Sequence, residues 1–119
     1  MSLGKIIDQT NLDFEEIPQL IKVAGVSWEN RQELISNLEV GSDVFLVRDP
    51  ENKYDKNAIA VKTADNIQIG WIPKVFAAIL APEIDAGIQW LAQVEKVIGE
   101  EQQLKGVIIK LFTFNDIMV

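Results

Sequence analysis

Between Leu46 and Val61 the chain reads LVRDPENKYDKNAIAV, and this stretch holds most of the residues that could do chemistry. Two runs of alternating apolar residues flank ten positions, Arg48 to Asn57, that carry six charges, two Asn, one Pro and one Tyr. A hairpin needs about two to five loop residues, so a connection this long and polar is either a solvated turn or a site. The metal reading is weak. Asp49, Glu51 and Asp55 offer oxygen at alternate positions, but a calcium loop wants Gly at its sixth position and a carboxylate at its twelfth, where this chain has Tyr54 and Ala60. Lys53 occupies a third ligand position.

The wider inventory narrows the chemistry further. The chain contains neither His nor Cys, so triads, Cys/His dyads and thiolate or imidazole zinc sites cannot be assembled. The seven Gly are dispersed, and no Gly-Lys-Ser or Gly-Lys-Thr forms a phosphate-cradling loop. No spacing marks a pair of catalytic carboxylates. No catalysis, metal or cofactor is expected. Trp71 and Lys74 are the other candidates, since a Lys at a helix start is a natural phosphate contact and an aromatic beside it could stack. Periodicity leaves open whether Trp71 is core and Lys74 ordinary first-turn surface. Trp28 carries the same ambiguity, and Trp90, inside a regular strand pattern, is assigned to the core.

These residues must be positioned by one small domain, because 119 residues with 48% apolar content can bury one core and hardly two. Residues 1–17 are polar and acidic and read as an N-terminal arm, leaving residues 18–119 as the domain. The pattern predicts a strand from Gln19 to Trp28 bent at Gly25, and a helix from Glu29 to Glu39 stopped by Gly41. Strands follow at DVFLVRD, AIAVKT and IQIGWI, the last two joined at Asp65-Asn66 as a hairpin. A second helix starts at Pro73, and Pro82 is expected to end or kink it. Two β-rich runs around an acidic turn at Glu100-Glu101 form a final hairpin. Five to six short strands and two short helices in one core favour a mostly β fold, a closed or nearly closed antiparallel barrel.

Net charge is −7, which argues against a generic nucleic-acid track. Its distribution is uneven. From Arg48 to Lys74 five cations meet four carboxylates, a net +1, which leaves −8 on the remainder and permits a short phosphate footprint. No apolar run nears bilayer length, no membrane partner is expected, and the cysteine-free chain suits a reducing, cytoplasmic compartment.

The motif RDPENKYDKNAI followed by IGWIPK resembles the signature of the HIRAN family. Arg48, Asp49, Pro50, Asn52, Tyr54, Asp55, Asn57, Ala58 and Ile59 stand at matching places, as do Gly70, Ile72, Pro73 and Lys74. The resemblance implies an OB-like antiparallel β-barrel with two helices that captures the 3′-hydroxyl end of single-stranded DNA. In that role Tyr54 would stack on the terminal base, Asp55 would accept the 3′-hydroxyl, and Lys74 would meet phosphate, with Trp28 beside the end base. Asn52 would fix the loop or bond the nucleotide. Trp71 would border the phosphate site, and Arg48 would pair with a neighbouring carboxylate or with phosphate. Asp49-Pro50 is assigned to the turn and Asn57 to tying down the loop backbone. Ser27 and Trp71 replace residues that could bring a cation to DNA in related members. The alternative reading is a protein-interaction adaptor that uses the same groove or the acidic face.

Overall fold

The computed structural model describes residues 17–27, 29–99 and 104–113. Residues 1–16 of the expected arm, Trp28 and the turn at Glu100-Glu101 lie outside them. Eight elements follow in order: β1 (Leu20–Lys22), α1 (Glu29–Ser36), β2 (Asp43–Arg48), β3 (Ile59–Thr63), β4 (Gln68–Trp71), α2 (Lys74–Asp85), β5 (Trp90–Ile98) and β6 (Gly106–Thr113). The strands form one sheet in the order β1-β6-β5-β2-β3-β4, with every neighbouring pair antiparallel. The expected mostly β, OB-like fold with two helices is the one observed, its sheet curled into a half-barrel. No helix among the described residues is long and apolar enough to cross a membrane.

Alternation sets the inside. Ile21, Ile109 and Val94 lie side by side across three strands, each at most 2% exposed, and Val44, Val61, Ile69, Val107 and Leu111 continue the same core. Helix α2 closes the core with Ala77, Leu80 and Ala81. Ile17, the last residue of the expected arm, also packs against it. Burial of each large aliphatic side chain contributes about 1.5–3 kcal/mol, so this continuous layer fixes the register of all six strands.

The two ends of the sheet meet at a single point. Beyond β1, Val23 N–H still bonds the Val107 carbonyl on one side, while Ala24 exchanges two 2.8 Å hydrogen bonds with Trp71 of β4 on the other. Position 70 must be glycine for this approach, since a Cβ there would stand 2.4 Å from the Ala24 carbonyl oxygen and 2.5 Å from Val23 Cγ1.

Three boundaries differ from the sequence pattern, each for a local reason. The first strand stops early because the chain leaves β1's line at Gly25, whose φ is +71°. Helix α1 ends at Ser36 instead of Glu39. Ser36 Oγ bonds back to the Gln32 carbonyl, Asn37 Nδ2 to the Glu33 carbonyl, and the Asn37 and Leu38 amides tighten to carbonyls three residues back. Pro82 does not end α2. The helix runs on to Asp85, and Ala86 N–H closes it on the Pro82 and Glu83 carbonyls.

Candidate nucleic-acid interface

A groove of about 490 Å³ lies where the sheet ends meet, lined by Ala24, Arg31, Asn52, Tyr54, Asp55, Ala58, Trp71, Ile72 and Lys74. Its wall is the polar loop between β2 and β3, built by side chains bonding the loop's own backbone. Asn52 accepts the amide hydrogens of Tyr54 and Asp55 at 2.9 and 3.0 Å and donates to Asp49 Oδ2 at 3.1 Å. Asp55 Oδ1 accepts Asn57 N–H at 2.9 Å. This chain of Asx-type turns spends three of the four hydrogen-bonding capacities of Asn52, so its side chain is a brace for the loop. The expected brace was Asn57, which contributes its backbone amide; the carbonyl and carboxylate oxygens that order the loop come from Asn52 and Asp55.

The brace aims its neighbours outward. Tyr54 is 86% exposed, the most exposed of the large apolar side chains among the described residues, so its ring is free to take a partner. Asp55 is half-buried beside it, and among the described residues no donor reaches its second carboxylate oxygen. Across the groove Lys74 opens α2 after Pro73, and no side chain caps that helix start. The Trp71 ring is half-buried and edges against Gly25: a Cβ on Gly25 would meet Trp71 Cδ1 at 3.1 Å. Trp71 is therefore both packing and groove floor, which resolves the choice that periodicity leaves open. Trp90 is half-buried against the core and donates from Nε1 to Glu83 at 2.8 Å.

Arg48 is placed elsewhere. Its guanidinium grips Asp85 with two bonds of 2.9 and 3.2 Å and donates a third, of 2.8 Å, to the Ala58 carbonyl, so it ties the loop to the end of α2 and does not line the groove. Arg31 does line it, although sequence reasoning assigned it no role. It lies on α1, donates from Nη1 to the Gly25 carbonyl at 2.8 Å, and brings its guanidinium within 3.5 Å of the same point that Trp71 approaches. The signal in ENRQEL was weak, because an Arg on a short helix is ordinarily surface charge. The groove thus combines two cations, two aromatics and one carboxylate.

A family model described as the HIRAN domain matches residues 19–111. The chain belongs to the HIRAN domain family. The HIRAN domain of human HLTF superimposes with a TM-score of 0.62 at 25% identity, covering 79% of this chain and 72% of that one. A solved Lactobacillus plantarum protein superimposes with a TM-score of 0.64 at 26% identity, covering 79% and 92%. Among curated proteins, the Fanconi-associated nuclease 1 homolog of Arabidopsis thaliana is 45% identical over 51 residues, 43% of this chain and 6% of that protein. The human helicase-like transcription factor is 46% identical over 55 residues, 46% of this chain and 5% of that protein. The matched segment is thus a small fraction of the length of either relative. HIRAN domains are DNA-binding domains, and this chain is one by fold and by sequence.

Proposed function

We propose that this HIRAN domain holds the 3′-hydroxyl end of single-stranded DNA in the groove and does so without catalysing a reaction. The observation that carries the reading is the meeting, in one concavity, of the 86% exposed Tyr54 ring, the Asp55 carboxylate and the Lys74 ammonium group. A terminal nucleotide presents the complementary set: a base face, a hydroxyl donor and a phosphate. Tyr54 stacks on the base, a contact worth roughly 1–3 kcal/mol and tolerant of base identity. The second oxygen of Asp55 accepts the 3′-hydroxyl proton, while its first is held by Asn57 N–H. Lys74, the uncapped amides at the start of α2 and Arg31 receive the adjoining phosphate. Arg31 restores a cation at the groove where Ser27 supplies none. Of the sequence-derived site, Asn52 serves by bracing Tyr54 and Asp55, Trp71 by flooring the groove, and Arg48 by anchoring the loop.

The names of the relatives, a nuclease and a helicase-like factor, are of proteins that handle nucleic acid, which agrees with this reading. The test compares oligonucleotides ending in 3′-hydroxyl, ending in 3′-phosphate, and closed into a circle. A preference for the free hydroxyl, lost in Asp55→Ala together with about 1.5–3 kcal/mol of affinity, is expected. Equal affinity for the three ends removes end capture from the reading, and binding to none of them favours a groove for protein.

A further inference from the structure

Ala24, in the groove's lining, adjoins a row of lysines on the sheet's outer face. In an antiparallel sheet, directly opposed residues and residues two apart share a face. Lys22 of β1 and Lys96 of β5 both stand opposite Ile108 of β6, one on each side, and Lys110 is two positions further along β6. The three lysines therefore occupy the outer face, opposite to the core residues Ile21, Ile109 and Val94. None of the three is in an ion pair with another described residue. Ala24 lies two residues beyond Lys22, which puts it on the same outer face about 7 Å away.

Side-chain placement joins the two regions. The Val23–Val107 hydrogen bond continues the β1–β6 register, so Gly106 comes beside Ala24. A Cβ on Gly106 would stand 3.2 Å from Lys22 Cε. The Lys22 side chain therefore leans along the strand toward the groove. The absence of a side chain at Gly106 leaves the space it lies in.

We infer that Lys22, Lys110 and Lys96 form a phosphate track that carries the DNA strand on its 5′ side away from the groove, across the outer face of β1, β6 and β5. This rests on the end-capture reading for its starting point. Lysine suits the task as a compact charge on a long stem that follows a backbone without reading sequence. A net charge of −7 hides the track, because Lys22 comes from the first strand and Lys96 and Lys110 from the last two. Glu95, in the bulge between Val94 and Lys96, and Asp43, opposite Gln93 in the row that holds Lys110, are acidic positions beside it and mark its border.

The experiment measures binding of 5′-labelled oligothymidylates of three and twelve nucleotides, each with a free 3′-hydroxyl, to the full chain and to its Lys22→Gln/Lys96→Gln/Lys110→Gln variant. Each oligonucleotide has one 3′ end, so added length brings no further sites for the groove. The longer strand is expected to bind at least about tenfold more tightly at low salt to the unaltered chain. The triple variant loses that gain, and its log–log salt slope for the longer strand falls by about 2, given about 0.7 per phosphate contact on single strands. Affinity for the trinucleotide and its preference for 3′-hydroxyl over 3′-phosphate stay as they were, and a Lys→Arg triple variant keeps the length gain. A length gain that survives in the Gln variant, or no gain in the unaltered chain, overturns the track. Loss of end preference with the length gain intact overturns end capture instead.

Discussion

Among the clefts that the described residues form, two of nearly equal size differ in almost everything else. The groove at the sheet junction has a volume of about 490 Å³. A second cleft, about 480 Å³, lies between the end of α1 and the β3–β4 turn, lined by Leu34, Asn37, Leu38, Glu39, Ser42, Asp43, Thr63, Ala64, Asp65 and Ile67. The first has Arg31, Lys74, Tyr54 and Trp71 in its lining; the second has three carboxylates, no cation and no aromatic. Size does not select a ligand here. A polyanion entering the second cleft meets like charge on every side, while the first offers two cations and stacking faces. The clefts differ in construction too. The second is framed by a short turn through Asn66, whose φ of +67° is one that Asn tolerates, whereas the first needs a ten-residue loop stiffened by its own side chains.

The sharpest way to break the comparison is to remove one cleft and leave the other. Gly70→Ala forces a methyl group against the Ala24 carbonyl and should open the sheet junction, costing about 3 kcal/mol of stability and more than about 10 °C in thermal midpoint. A calorimetric or circular-dichroism melt reads this, and an unchanged midpoint means that the junction is looser than described. Tyr54→Ala acts on the same groove without touching the core. Its ring is almost wholly exposed, so stability should hold while affinity for single-stranded DNA falls by roughly 1–3 kcal/mol in an anisotropy titration.

Asn52→Ala tests whether the groove's wall is built or merely present. It strips two amide hydrogens of their acceptor and should cost about 1–3 kcal/mol of stability, with a matching rise in amide exchange at Tyr54 and Asp55. Asn57→Ala should cost less than this, the reverse of what the sequence pattern suggests. The smallest effect belongs to the second cleft. Removing two of its three carboxylates with Glu39→Gln and Asp65→Asn should change both stability and DNA affinity by less than about 0.5 kcal/mol per site, since these are surface carboxylates away from the groove. A large loss of DNA binding in that variant would show that the two clefts are not distinct in function.

The sequence by itself determined the strand pattern, the two helices and the motif. Those are local properties, because alternation over a few residues decides which face is apolar, and RDPENKYDKNAI is contiguous. That Tyr54 and Asp55 belong to one polar loop was legible for the same reason, and both line the groove. Asn52 could be read as brace or ligand, and Arg48 as bound to carboxylate or phosphate, since both outcomes depend on what lies within about 3 Å. The loop's own turns decided the first, closing Asn52 onto Asp49, Tyr54 and Asp55, and tertiary structure decided the second, bringing Asp85, thirty-seven residues on, to the Arg48 guanidinium. It also delivered Arg31 from α1 to the groove and set Lys22, Lys96 and Lys110 on one outer face. No window along the chain contains these meetings, because they follow from strand register and from the closure at Ala24 and Trp71, and register is set by burial of the whole core at once.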